Sequence, residues 1–167
     1  MNRVLINYNN LYRYYQMELF NLKVMEEKKE KIRSKYFKTT SSISESETTR
    51  TGNSGDKYDQ YMIELEKENL LEQIKDQKNL IKKLNYYIKK IDYNLSELTG
   101  IEYRLFYKIV NGVNISRAVE EVVSENCFNN KKPSTVSVIW EKYYPSIKKE
   151  VEEFKSIQKE IKKLYEP

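Results

Sequence analysis

A single stripe of apolar side chains constrains the fold of this chain more than any other feature. Between residues 70 and 98 the stripe advances in alternating steps of four and three, which keeps its members on one face of an α-helix. The stripe consists of Leu70, Ile74, Gln77, Ile81, Leu84, Ile88, Ile91, Leu95 and Leu98, of which only Gln77 is polar, and Met62 and Leu65 extend it upstream. The spacing predicts one long coiled-coil helix over residues 57–95, with Asp56 as its N-cap. Such an apolar face must be buried against a partner.

Residues 1–38 repeat this pattern and are predicted to form a basic amphipathic helix. Its expected stripe is Leu5, Tyr8, Tyr12, Tyr15, Leu19 and Leu22. The segment carries nine Lys and Arg residues against four Glu residues. A solvated helix face explains this charge, and a patch that contacts phosphates is the alternative. The candidate phosphate contacts are Arg13, Lys28, Lys29, Lys31, Arg33 and Lys35, with Arg117 further along the chain.

The segment between these helices, residues 39–56, is predicted to be a flexible loop. Ten of its eighteen residues are Ser or Thr, whose hydroxyl groups compete for backbone hydrogen bonds, and it has no apolar period. The loop joins the first helix to the long helix. Two partners therefore remain open for the apolar stripe of the long helix: the first helix, in an antiparallel hairpin, or a second copy of the chain in a homo-oligomer.

Residues 96–146 are predicted to form a compact domain of three short helices. Ser96 is the expected start of the first helix, and Asn111-Gly112 is its expected end because Gly readily adopts positive φ. Asn114 is the predicted N-cap of the second helix, and Pro133-Ser134 opens the third, which ends at Pro145. The inward residues are predicted to be Ile101, Leu105, Phe106, Ile109 and Val110, then Ile115, Ala118, Val119, Val122 and Val123, then Val136, Ile139, Trp140 and Tyr143.

Residues 147–167 are predicted to form a terminal amphipathic helix with Ile147, Val151, Phe154, Ile157, Ile161 and Leu164 on its apolar face. The expected fold is therefore all-α. It combines a long helical hairpin or coiled coil, a C-terminal trihelical domain and this last helix.

Three short helices with a Ser/Thr-rich third helix are typical of a helix-turn-helix domain, and an ordinary trihelical bundle is the alternative. A recognition helix needs hydroxyl donors and basic side chains that reach base edges and phosphates in the major groove. The candidate DNA-binding residues are Lys131, Lys132, Ser134, Thr135, Ser137, Val138 and Lys142.

The segments LSELTGIEYRLFYKIVNGVNISRAVEEV and KPSTVSVIWEKYYPSIKK also resemble a known family. They are similar to the sigma region-four-like helix-turn-helix of ArpU/RinA-like transcriptional regulators, which phages and mobile elements encode. The resemblance implies activation of late genes by binding near a promoter, and it matches Ser134, Thr135, Ser137, Val138 and Lys142 to the recognition helix. The segment between the second and third helices is longer here than is usual in the family.

The composition argues against catalysis. The chain has no His, one Cys and four Gly, so it lacks His-based catalytic and metal sites, thiolate zinc sites and Gly-rich phosphate loops. We expect no enzyme activity, no cofactor and no metal. No apolar run is long enough for a membrane span, so a cytoplasmic, nucleoid-associated protein is expected.

The functional expectation is a sequence-specific binder of double-stranded DNA, a phage-type regulator whose helical hairpin serves either self-association or contact with RNA polymerase. One alternative is a small terminase subunit that binds packaging-site DNA. The other is a phage-encoded helical inhibitor of host defence, such as an anti-CRISPR protein, that acts through protein–protein contacts.

Overall fold

The computed structural model describes residues 7–37, 54–127 and 136–165, with side chains for residues 7–37, 57–125 and 139–164. These residues form helices and turns without a strand, which confirms the predicted all-α class. The helices are α1 (Tyr8–Tyr36), α2 (Ser54–Lys67), α3 (Leu70–Glu97), α4 (Gly100–Val110), α5 (Ile115–Cys127), α6 (Val136–Lys142) and α7 (Tyr144–Tyr165). Among the residues described, no helix combines the length and the apolar character that crossing a bilayer requires.

The chain divides into two compact units. The first unit comprises residues 1–15 and 82–167, and the second comprises residues 16–81. The predicted loop at residues 39–56 lies mostly outside the described residues, and α2 already begins at Ser54, two residues before the expected cap at Asp56.

The second unit is built on one apolar cluster. Its buried members are Ile32, Tyr61, Leu65, Leu70 and Ile74, with Leu22, Met25, Tyr36 and Met62 packed against them. The polar partners of α1 follow in reverse order along the chain: Gln77 bonds to Glu18, Glu68 pairs with Lys28, and Glu64 accepts from Tyr36. This order is the one expected of helices that run in opposite directions.

A polar contact interrupts the apolar face of α1 at Glu18, whose side chain is only 7% exposed. Gln77 Nε2 donates to Glu18 Oε2 at 2.7 Å and to the Glu18 carbonyl at 3.0 Å, and Asn21 Nδ2 donates to the same Oε2 at 3.0 Å. A buried carboxylate is tolerated only where donors satisfy it. A shift of α1 along α3 would separate these groups, so this polar contact favours one register.

The prediction of one continuous helix over residues 57–95 is wrong. The helix breaks at Glu68 and Asn69, where Asn69 has φ of +50° and its N–H donates to the Glu66 carbonyl at 2.9 Å. Asn is one of the few residues that adopts this left-handed conformation readily. The step from Leu65 to Leu70 is five residues, and the break lets both side chains become buried.

The predicted stripe on α1 is also wrong at Tyr12, which is exposed. Leu5 lies outside the described residues. The buried positions are Leu11, Glu18 and Ile32, with Met25 half-buried between them. Leu11 and Glu18 each come one position before a predicted member of the stripe, whereas the predicted Leu22 packs against the core. The spacing of apolar residues does not reveal this face, because its member at position 18 is a Glu.

The first unit buries the apolar faces of α4, α5 and α7, largely as predicted. The buried residues are Leu105, Phe106, Ile109 and Val110 of α4, Ala118, Val119 and Val122 of α5, and Ile147, Val151, Phe154, Ile157 and Ile161 of α7. Leu84, Tyr87, Ile88 and Ile91 of α3 are buried in the same unit. The expected helix start at Ser96 is wrong, because α3 continues to Glu97 and the Ser96 hydroxyl donates to the Tyr93 carbonyl.

Two tyrosines of the first unit donate their hydroxyl protons to carboxylates. Tyr8 donates to Asp92, and Tyr87 donates to Glu160 at 2.6 Å. Burial, followed by the hydrogen bond to the carboxylate, raises the pKa of each tyrosine to about 12. The folded state therefore favours the protonated phenols more strongly than the unfolded chain does.

The polar contact at Glu18 yields a prediction about stability. Glu18→Leu should lower the free energy of unfolding by about 1–3 kcal/mol, because the Gln77 and Asn21 amides lose the carboxylate oxygen to which both donate. Adding Gln77→Leu should restore most of this loss, since two apolar side chains can pack where the polar pair lay. Urea denaturation followed by circular dichroism measures both effects.

Glu18→Gln is the matched control for that experiment. It keeps an acceptor oxygen and should destabilise less than Glu18→Leu. If Glu18→Leu and Glu18→Gln are equally stable, the side-chain oxygen of residue 18 does not accept the stabilising hydrogen bonds from Gln77 and Asn21.

The tyrosine–carboxylate bonds predict a dependence of stability on pH. A pKa raised above the ordinary value of 10.0 contributes stability below pH 10 and loses it as the pH rises from 10 to about 12. The free energy of unfolding should therefore fall across this range, and Tyr87→Phe should make the fall shallower. Tyr93→Phe, at an exposed ring, is the control and should leave the slope unchanged. If the free energy of unfolding falls equally steeply with pH in wild type and in Tyr87→Phe, the hydrogen bond between Tyr87 and Glu160 does not contribute as described.

Candidate nucleic-acid interface

The candidate interface belongs to α4, α5, α6 and α7, the last four helices of the first unit. α4 packs against α5 and α7, and α6 packs against α5 and α7. The predicted DNA-binding residues fall on α6 or on the segment before it. The geometry of α6 therefore depends on how α5 and α7 are held.

A tight turn fixes the direction of α5 relative to α4. α4 ends at Val110, Gly112 adopts φ of +92°, and the Val113 N–H donates to the Lys108 carbonyl at 3.0 Å. The Asn114 side chain then accepts from the Ser116 and Arg117 N–H groups at 2.9 and 3.3 Å, which confirms the predicted N-cap. The predicted stop at Asn111-Gly112 is confirmed as well.

An ion-pair network ties α4 to α5. Lys108 Nζ lies 3.0 Å from Glu121 and 2.8 Å from Glu125, and Arg117 Nε lies 3.0 Å from Glu121. Hydrogen bonds from Lys108 and then Arg117 lower the pKa of Glu121, and the bonds to Glu125 and Glu121 raise the pKa of Lys108. Arg117, a candidate phosphate contact, therefore already has an anionic partner.

α6 is a single short helix of seven residues. Ile139 is fully buried, and Glu141 and Lys142 are exposed, as predicted. The Lys142 ammonium lies 5.2 Å from the centre of the Tyr143 ring, a distance at which the cation and the ring attract each other. The chain leaves α6 at Tyr143, and Pro145 falls in the first turn of α7, where its missing N–H costs nothing.

The prediction that Trp140 belongs to the core is wrong. Its side chain is 42% exposed and stacks on Tyr144, with ring centres 4.5 Å apart and planes 5° from parallel. Because Tyr144 begins α7, the indole packs against the first residue of the next helix while its side chain stays partly exposed. Helical spacing alone cannot distinguish this arrangement from burial.

The other residues of the predicted recognition helix are only partly accounted for. Ser137 and Val138 lie within α6, whereas Lys131, Lys132, Ser134 and Thr135 lie outside the described residues, together with the predicted start at Pro133. The segment that carries most of the expected base contacts thus precedes α6.

Carboxylates already offset part of the basic charge on α1. In the second unit Lys28 pairs with Glu68 at 2.5 Å and Lys35 with Glu64 at 3.0 Å, and Arg33 lies 3.7 Å from Glu30. Lys29 and Lys31 make no ion pair with another described side chain. The same holds for Arg13 in the first unit. The predicted non-specific patch is therefore weaker than its count of cations indicates.

A polar groove of about 380 Å³ lies in the first unit along α3 and α7. It is lined by Lys90, Tyr93, Asn94, Glu97, Lys149, Glu150 and Glu153. Lys90 lies 2.6 Å from Glu153, and hydrogen bonds from Lys90 and then Asn94 lower the pKa of that carboxyl. Sequence reasoning did not select this groove, because its residues come from two segments that are far apart in the chain. In the described part of the molecule, no three Asp, Glu, Cys or His side chains converge closely enough to hold a metal ion.

No protein-family model matches the sequence, and neither a curated protein nor a solved structure is significantly similar to it.

The turn before α5 generates a prediction. Gly112→Ala should lower the free energy of unfolding by about 1–2 kcal/mol, because an L-residue is strained in a left-handed conformation. The added Cβ would lie 3.5 Å from the Asn7 Cβ, an ordinary contact, so backbone strain is the expected cause. Thermal and urea denaturation measure the loss.

Gly100→Ala is the matched control. Gly100 also has positive φ, +58°, and no atom lies within 4 Å of the added Cβ. A φ of +58° lies inside the region that L-residues tolerate, so its loss should be smaller than that at Gly112. If Gly100→Ala lowers the free energy of unfolding more than Gly112→Ala does, the positive φ at Gly112 does not make the turn between α4 and α5 especially sensitive.

Proposed function

We propose that this chain is a sequence-specific binder of double-stranded DNA that uses α4, α5 and α6 as a helix-turn-helix domain. The packing of α6 is the observation that carries the proposal. One side of this helix is anchored on its neighbours by the buried Ile139, and Glu141 and Lys142 on the other side face solvent. A recognition helix needs this division, because its inner face must be held rigidly while its outer face enters the major groove.

The buried packing on both sides of α6 in the chain favours the same function. Its two packing partners, α5 and α7, each have a row of fully buried side chains, and Lys108 ties α5 to α4 through two carboxylates. Base contacts discriminate sequence only when the groups that make them are held in place. The capped turn at Asn114 fixes the start of α5 in the same way.

In this proposal Lys142 contacts a phosphate or a base edge. Its ammonium has no carboxylate partner among the described residues. Ser137 and Val138 of α6, and Lys131, Lys132, Ser134 and Thr135 before it, supply the remaining contacts. Of the candidate phosphate contacts on α1 in the second unit, Lys29 and Lys31 remain available for phosphates.

The role of a phage-type transcriptional regulator rests on the family resemblance of residues 95–149. In the same role, the long helices serve either self-association or contact with RNA polymerase. The packing of α4 to α7 supports DNA binding and is equally compatible with a regulator and with a terminase subunit, so the two roles are separated by the experiment below.

Affinity selection from random DNA duplexes tests the proposal. The full chain should enrich a defined motif, and its affinity for that motif should fall steeply with salt because phosphate contacts release counterions. Enriched motifs that map upstream of genes support a regulator, and assembly into a large ring on such DNA supports a terminase subunit. Failure to enrich any motif, combined with a stable complex with a host protein, would overturn DNA binding and favour the inhibitor.

Lys142→Gln tests the contribution of α6 to this binding. The variant should bind the selected duplex more weakly, and the slope of log affinity against log salt should decrease in magnitude by about 0.9, the value for one phosphate contact. Fluorescence of Trp140, the only Trp of the chain, reports binding at α6 directly.

Lys155→Gln is the control, because it removes the same charge from an exposed position on α7. It should leave the salt dependence close to that of wild type. If both variants lose the same affinity and slope, net charge rather than α6 determines binding.

A further inference from the structure

The helix α1 has a second apolar face that points to solvent. Met17, Phe20 and Val24 follow one another at steps of three and four, and their side chains are 47%, 65% and 48% exposed. Phe20 is the most exposed large apolar side chain among the residues described. Phe20 lies on the side of α1 opposite the buried positions 18 and 25, and Met17 and Val24 flank it on the helix surface.

Single exposed apolar residues are common and need no explanation, but a row of three on successive turns is less so. The buried face of α1 is already covered within the second unit through Leu22, Met25 and Ile32. The outer row is therefore additional to what the fold requires and points to a partner.

We propose that this face pairs with the same face of a second copy of the chain, in an antiparallel arrangement with the two-fold axis at Phe20. A two-fold interface requires one surface to complement itself. With the axis at Phe20, the two phenyl rings meet at the centre, and Met17 lies opposite the partner subunit's Val24. The apolar row thus covers itself without a gap in its middle.

The charges that flank the row favour this direction. In the antiparallel pair Arg13 lies opposite the partner subunit's Glu27, and the symmetry produces this pair twice. Arg13 makes no ion pair with another described side chain, and the contact of Glu27 is an exposed one with Lys23 at 3.9 Å. In a parallel pair Arg13, Lys23 and Glu27 would each face their own copy, which places like charges together.

The small size of the face sets the expected strength. Three apolar side chains per chain form an interface well below the roughly 800 Å² per partner of a standard stable complex. The dimer should therefore dissociate on dilution. It does not depend on DNA, so it is tested on the free protein and is independent of the proposed function.

Sedimentation velocity across a wide range of concentrations is the first test. Wild type should shift from monomer to dimer as concentration rises, and Phe20→Glu should weaken association at least tenfold. Ile63→Glu is the matched control, because Ile63 is an exposed apolar residue on α2 of the same unit, and it should leave association unchanged. Wild type that stays monomeric throughout, or equal loss in both variants, would overturn the proposal.

Charge reversal tests the direction of the pair. Arg13→Glu and Glu27→Arg should each weaken association, and the double variant should restore it, because opposite charges then face each other again. A double variant that associates no better than the single variants would overturn the antiparallel arrangement.

Disulfide formation locates the axis. In a Cys127→Ser background, Phe20→Cys should cross-link efficiently, because both copies of residue 20 lie at the axis. Val24→Cys should not, since the two copies of residue 24 lie roughly 12 Å apart along the helices, beyond the reach of a disulfide. Equal cross-linking at both positions would indicate a parallel pair and overturn the proposal.

Discussion

The apolar face of α3 is the constraint on which the rest of the molecule depends. It supplies buried side chains to both units, with Leu70 and Ile74 in the second and Leu84, Ile88 and Ile91 in the first. An isolated helix of this length gains little from hydrogen bonds alone, so burial of this face stabilises it. The other helices are arranged so that their own apolar faces cover the same cores.

Polar groups then determine which of the many ways to bury such faces is adopted. Glu18 and Gln77 oppose each other at positions that apolar side chains would otherwise occupy, and the Lys108 pairs join α4 to α5. The Lys108 ion pairs contribute specificity more than stability, because ion pairs that remain partly exposed are worth little. Ion pairs with carboxylates also engage Lys28, Lys35 and Arg117, which a count of charges would assign to a nucleic-acid surface.

Much of the fold follows from residue spacing. The buried faces of α4, α5 and α7 were predictable because their apolar residues recur at helical intervals, and the cap at Asn114 follows from the chemistry of its side chain. The break between Leu65 and Leu70 was signalled only by one step of five residues. The buried face of α1 was concealed by Glu18, whose burial depends on Gln77, 59 positions away in the sequence. No local pattern encodes such a contact.

The candidate site was predictable to a smaller extent. The sequence indicates a short third helix and an outward-facing Lys142, and the structure agrees with both. The sequence gives no sign that Trp140 stacks on Tyr144 at the surface, because this contact depends on where α7 begins. Four of the candidate DNA contacts precede α6, outside the described residues, so their role follows from residue type and from the family resemblance.

Hydrogen–deuterium exchange of the full chain, with and without a selected DNA duplex, is the most direct test of whether DNA binds at α6 and the residues before it. DNA should slow exchange in the peptides that cover residues 131–142 and leave exchange in α2 unchanged. Protection that is confined to residues 16–81, or exchange that DNA does not alter anywhere, would contradict DNA binding at α6.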